Sequence, residues 1–127
     1  MKKKNKNHKK KLSWIGKNSG RRIEKLETGS KREDKQGKGL FNLLPPRALQ
    51  QVALRLEYGS KKYGPNNWNN GIQQSKLLDS ALRHLIQFMK GDTDENHLVA
   101  SACNILQMIE QSEKIKEGKL NKHINDL

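Results

Sequence analysis

Arg83, His84, Asp92, Asp94, Glu95 and His97 crowd into residues 83–97. Imidazoles and carboxylates are the side chains that hold divalent metal ions, and a guanidinium forks onto phosphate oxygens. Together they can form a metal-and-phosphate site, and Arg83, His84 and His97 are the members that a plain structural role explains least. The acids also suit a helix start, where a side-chain oxygen satisfies unpaired backbone N–H groups. Asp92 or Thr93 can serve as such a cap, with Glu95 following. Capping and a reactive site are both open on these residues, but capping does not account for His97.

Two helices must meet at Gly91 to bring these side chains together. Apolar periodicity predicts one from about Ser75 to Lys90, with Leu77, Leu78, Ala81, Leu82, Leu85, Phe88 and Met89 on a broad face. His84 shares the row of Leu77, Ala81 and Phe88 and is at least half buried. A single histidine there is a satisfied core residue as readily as a ligand. Asp79 and Arg83 are spaced for a pair on the polar side. The other helix runs to about Lys116, with Leu98, Ala102, Ile105 and Ile109 on one face. His97, Ser101 and Asn104 align on the adjoining face, where they can line an interior site.

A second wall is encoded upstream. Leu49, Val52, Ala53 and Leu56 predict a helix from about Pro46 to Tyr58, opened by proline and ended by Gly59. Glu57 borders its apolar stripe, as a metal-binding carboxylate or as a solvated one. The loop Ser60 to Gly71 carries Lys61, Lys62, Tyr63 and Trp68, two cations and two rings that together can hold a nucleotide. Trp68 can equally plug the core.

The remainder of the chain narrows the function classes. Its 127 residues are 32% hydrophobic with a formal charge of +13, and mean hydropathy is -0.99. Residues 1–39 hold 15 Lys and Arg against 4 acids, a net +11, whereas residues 40–127 carry +2. This predicts a basic, largely disordered arm and linker over 1–39 and a nearly neutral helical domain over 40–127. The arm is suited to non-specific contact with nucleic acid through its phosphates, or to plain solvation, and Trp14 can pack or stack. Cys103, the single cysteine, excludes an internal disulfide and sits in an apolar pattern as a small core residue. No apolar run spans a bilayer and no secretory signal follows the basic start, so the expected setting is cytoplasmic. Walker, dinucleotide-binding and GxSxG motifs are absent. The expected fold is all-α, three main helices in a small bundle whose marginal core is completed by homo-oligomerisation.

The runs GKGLFNLLPPRAL, GSKKYGPNNWNNGI and LLDSALRHLIQFMKGDTDENHLVASACNIL resemble, over about Thr28 to Gln111, a phage-associated family. That family is named for an N-terminal dATP/dGTP diphosphohydrolase domain, and it resembles the all-α MazG-like nucleoside triphosphate pyrophosphohydrolases. The resemblance implies hydrolysis of purine deoxynucleoside triphosphates with Mg2+ or Mn2+, in the host cytoplasm for a phage-encoded chain. It assigns metal to Glu57, Asp79, Asp92, Asp94 and Glu95. Lys61, Lys62 and Arg83 then contact phosphates, His84 and His97 serve as ligands, base or orienting groups with Arg83 in the catalytic set, and Tyr63 or Trp68 stacks on the purine. MazG-like enzymes carry an E-x-x-E motif and a later E-x-x-D on neighbouring helices; neither is expected intact here, and Asp92-x-x-Glu95, at a helix start rather than mid-helix, is the nearest substitute. The alternative is a non-enzymatic nucleotide- or nucleic-acid-binding accessory protein that uses the basic arm.

Overall fold

Small side chains let two helices of this protein approach closely, and the rest of the helical unit is arranged around that contact. The computed structural model describes residues 23–127. They divide into two units, with the boundary between Leu44 and Pro45. In the first, β1 (Ile23–Lys25) pairs antiparallel with β2 (Lys31–Glu33) in the register Ile23 opposite Glu33. A short 3-10 turn, Phe41–Leu43, follows. Sequence periodicity gave no sign of this hairpin, because strands of three residues are too short to alternate visibly. The disordered arm expected over 1–39, and Trp14 within it, fall outside the described residues as far as residue 22.

The second unit contains α1 (Pro46–Tyr63), α2 (Gln74–Met89) and α3 (His97–Lys116). Single 3-10 turns lie at Asn67–Asn70 and Lys122–Ile124. Three main helices in an all-α unit is the architecture expected from the periodicity. α1 is longer than predicted, because Gly59 does not stop it. A single helical glycine costs only about 1 kcal/mol, and Lys61 and Lys62 in the last turn complement the helix dipole. The helix ends at Gly64, which has φ 87° and donates its N–H to the Ser60 carbonyl, just before Pro65.

α2 ends where expected. Gly91 adopts φ 82°, and the N–H of Asp92 reaches back to the Gln87 carbonyl at 3.0 Å. That six-residue closure requires a left-handed residue, which glycine supplies without steric cost. The start of α3 differs from prediction. Asn96 is the cap, its side chain accepting from the Val99 N–H at 3.1 Å, and no acid stands in the first turn. Asp92, Asp94 and Glu95 are therefore free of capping duty.

The α2 and α3 backbones come together over Ala81, Ala100 and Ser101, all buried. The Ser101 hydroxyl donates to the Ala81 carbonyl at 2.9 Å. Gln111, 1% exposed, uses its amide like a strand neighbour. Its Oε1 accepts from Ile72 N–H at 2.6 Å and its Nε2 donates to the Ile72 carbonyl at 2.8 Å. Gln74 completes the network by donating to the Met108 carbonyl and to Ser112. At the other end of the chain, Asp126 caps α2 from a distance, accepting from the Ser75 N–H at 2.9 Å and from its hydroxyl.

The apolar core is small, comprising Leu77, Ala81, Ala100 and Cys103. Leu49 and Leu56 of α1 are 45% and 41% exposed, so the stripe expected to face a partner is largely uncovered within one chain. Among the described residues, no helix is long and apolar enough to cross a membrane.

Gln111→Leu, nearly isosteric but unable to pair with Ile72 or Gln74, is expected to lower unfolding free energy by about 2–3 kcal/mol, because several buried polar groups lose their partner. Urea unfolding followed by circular dichroism measures it. The hydrogen bonds from Ser75 hold the Asp126 carboxyl below its usual pKa. A lowered folded pKa gives stability that is present above the unfolded carboxyl's pKa and is lost as pH falls through the folded one. Asp126→Ala should therefore melt at a lower temperature than the unsubstituted chain at pH 7, with the gap closing in acid. An equal gap at all pH values would show that the carboxylate charge is not involved.

Candidate functional site

Because α2 and α3 are in contact and Gly91 turns the chain sharply, the last two turns of one helix face the first turn of the other. That places the His84 and His97 rings 5.2 Å apart, tilted by 34°, with their Nδ1 atoms 2.9 Å apart. Both rings are buried, at 4% and 2% exposure. Glu95, on the connecting turn, brings Oε1 to 3.4 Å from His84 Nδ1 and 3.5 Å from His97 Nδ1.

Two further groups fix this cluster from outside. Arg55 of α1 donates from Nη1 to the other Glu95 oxygen, Oε2, at 2.8 Å. That guanidinium holds the Glu95 carboxyl below its usual pKa against the opposing effect of partial burial. Asp94 Oδ1 lies 2.7 Å from His97 Nε2. The hydrogen bond from His97 lowers the Asp94 pKa, so Asp94 is an ionised acceptor at neutral pH. An ionised carboxylate can only accept, so Nε2 of His97 carries a proton and donates it to Asp94, while Nδ1 of the same ring faces His84 Nδ1. Burial, followed by the nearby Arg83 charge, pushes the His84 pKa down, which keeps that ring neutral.

Beside this cluster lies a cavity of about 540 Å³. The C-terminal half of α1 contributes Arg55, Tyr58, Lys62 and Tyr63. The following loop adds Trp68, and α2 and α3 add His84 and Asn104. Arg55, Tyr58 and Lys62 recur at three and four along α1, so one face of the helix delivers both cations and a ring. Tyr63 beside it raises the Lys62 pKa through a hydrogen bond. Trp68 is half buried, with Lys114 Nζ 5.0 Å from its ring and 2.6 Å from Asn69 Oδ1, so the loop is pinned to α3. Asn104 Nδ2 donates to Ser80 Oγ at 3.0 Å and to the Ala100 carbonyl at 3.1 Å.

The sequence candidates therefore separate. His84, His97, Glu95 and Asp94 come together in the cluster, and Lys62, Tyr63, Trp68 and Asn104 line the adjoining cavity. Glu57, Asp79 and Lys61 are exposed and join neither. Asp92 stands 3.5 Å from Lys90 instead. Arg83 is exposed and reaches Gln87 and Ser80, acting on His84 only through its charge. Contrary to the expectation that no E-x-x-E is intact, that spacing does occur in the helical unit, at Glu110 and Glu113, but both are exposed beside Lys114 and Lys116, outside the cluster. Cys103 is buried near the Val52 carbonyl, and burial raises its thiol pKa, which suits a core residue. Arg55 and Tyr58 were missed from sequence, although their spacing with Lys62 on one helical face was the available signal.

A metal ion fits this donor set. His84, Glu95 and His97 each present a ligand atom within 4.8 Å of the others, and Arg55 is hydrogen-bonded to Glu95 Oε2, not to the Oε1 that approaches the histidines.

The chain belongs to the family described as dATP/dGTP diphosphohydrolase, N-terminal, whose model matches residues 28–121. A curated relative, the dATP/dGTP diphosphohydrolase of Salmonella phage PMBT28, is 35% identical over 78 residues. That alignment covers 58% of this chain and 27% of the relative, so the chain spans about a quarter of the relative's length. No solved structure matches.

Replacing Arg55 by Met should raise the Glu95 carboxyl pKa toward the usual glutamate value, because the hydrogen bond and the charge that favour the ionised form are both removed. A carbon-detected NMR titration of the glutamate side chains reads this directly. An unmoved Glu95 would show that Arg55 does not control its ionisation.

Proposed function

We propose that the helical unit binds a purine deoxynucleoside triphosphate in the cavity beside His84 and hydrolyses it with a divalent cation. The observation that carries this reading is the convergence, in one cavity, of the cations Arg55 and Lys62, the rings Tyr58, Tyr63 and Trp68, and His84. About 540 Å³ lies within the roughly 300–1,000 Å³ range of small-molecule sites. Family membership and the name of the phage relative point to the same substrate class.

The residues divide the work by chemistry. Lys62 and Arg55 neutralise phosphate oxygens, Arg55 with the forked geometry that orients them. Tyr63 and Trp68 offer π-faces to the base. Asn104 supplies a neutral polar edge to the cavity. A divalent cation held by Glu95 and the two histidines supplies Lewis acidity toward the phosphates and lowers the pKa of water. Asp94 holds the His97 Nε2 proton, so that ring keeps its lone pair aimed into the cluster, and burial keeps His84 uncharged for the same use.

The uncovered Leu49 and Leu56 stripe supports completion of the bundle by another copy. The +11 charge of residues 1–39 supports a separate, salt-sensitive contact with nucleic acid.

Incubation with each deoxynucleoside triphosphate and a divalent ion, followed by chromatography of the products, tests the reading. Hydrolysis of dATP or dGTP is expected. Lys62→Ala and Tyr63→Ala are each expected to raise KM about tenfold, a loss of about 1.4 kcal/mol, and Arg55→Ala to lower kcat as well. No release of phosphate or pyrophosphate from any nucleotide sinks the reading.

A further inference from the structure

The His84 Nδ1, His97 Nδ1 and Glu95 Oε1 atoms form a triangle with sides of 2.9, 3.4 and 3.5 Å. Ligands about 2.1 Å from one ion stand about 3.0 Å apart at a right angle and about 3.4 Å apart at the tetrahedral angle. The triangle thus has the dimensions of three ligands sharing one face of a coordination sphere. We propose that these three atoms bind one divalent transition-metal ion in preference to Mg2+.

The surroundings support a ligand role over a simple buried histidine pair. A hydrogen bond between the rings accounts for the 2.9 Å side alone; it gives no reason for Glu95 Oε1 to approach both nitrogens. Histidine ligands typically donate their second ring N–H to a carboxylate, which orients the ring and raises its basicity. Asp94 Oδ1 accepts that N–H from His97 Nε2 at 2.7 Å. Arg55 occupies Glu95 Oε2 at 2.8 Å, leaving Oε1 as the free donor and favouring monodentate binding. Two neutral imidazoles also discriminate by type, since they suit Zn2+, Co2+ and Fe2+, whereas Mg2+ is held by carboxylates, phosphates and water. Two histidines and one carboxylate leave further coordination positions for water or phosphate oxygens. His84, which lines the cavity, is the member shared with it. The contact between the two Nδ1 atoms holds one proton in the metal-free pair, so binding requires that proton to move to His84 Nε2 or to be released to solvent.

The inference rests on the reading of this cluster as the metal-binding part of the nucleotide site, but its test needs no turnover. The chelator-treated full chain is titrated with Co2+, Mn2+ and Mg2+ by calorimetry, and the Mn2+ form is examined by pulsed EPR for nitrogen couplings. One Co2+ or Mn2+ per chain is expected, bound at least tenfold more tightly than Mg2+, with couplings from two imidazole nitrogens. Asp94→Asn, at an exposed position, should stay folded and weaken binding by about 10–100-fold. His97→Ala should abolish it. Should His97→Ala unfold, the nitrogen couplings of the unsubstituted chain decide. Mg2+ binding as tight as Co2+, no nitrogen coupling, or unchanged affinity in Asp94→Asn would overturn the proposal. Transition-metal binding without hydrolysis overturns only the hydrolase reading, and hydrolysis without nitrogen coupling overturns only the histidine site.

Discussion

The close approach of α2 and α3 is the constraint on which the helical unit depends. It is possible because Ala81, Ala100 and Ser101 present almost no side-chain bulk where the helices meet, and the Ser101 hydroxyl binds the Ala81 carbonyl at 2.9 Å. A larger residue at any of these positions would force the helices apart, since tightly packed interiors absorb extra methylene groups only by backbone shifts. One helical turn beyond Ala81 on α2, and one before Ser101 on α3, stand His84 and His97. Their 2.9 Å separation is a direct outcome of that packing. Site geometry and core packing are therefore one feature of this fold.

The interior is organised by hydrogen bonds as much as by apolar contact. Gln74, His84, His97, Ser101 and Gln111 are buried, against Leu77, Ala81, Ala100 and Cys103 among the hydrophobic residues. Buried polar groups with satisfied partners contribute modestly to stability, but they penalise every alternative arrangement that would leave them unpaired. Among the described residues no buried side-chain nitrogen or oxygen lacks a partner. Gln111 illustrates the effect, since its amide fixes the chain at Ile72 and thereby the exit of the aromatic loop. The Lys114 contacts to Trp68 and Asn69 hold the same loop nearer its middle.

Much of this was legible in the sequence, and what was not has physical causes. The three-helix architecture followed from apolar spacing, and the burial of His84 followed from its row with Leu77 and Ala81. The end of α1 was misjudged because glycine is a weak helix breaker when the residues after it still favour the helix. Asn96 was overlooked as a cap because three neighbouring acids offered the same chemistry, and only backbone conformation decides which side chain can turn back. Tertiary partners were the hardest to foresee. Arg55 and Glu95 are 40 residues apart in sequence, and no local pattern pairs them. Glu57 looked like the better candidate from α1, yet two positions along a helix are enough to turn a side chain to the opposite face.

The chain order of the histidine cluster has a consequence in polymer terms. His84 and His97 are separated by 13 residues, and Glu95 lies between them, so the whole donor set belongs to one helical hairpin. Loop-closure entropy grows only with the logarithm of contour length, so gathering such near neighbours costs little compared with recruiting ligands from distant elements. Arg55, 40 residues from Glu95 in sequence, is the contact that reaches this cluster from outside the hairpin, so it is the one that carries the larger closure cost.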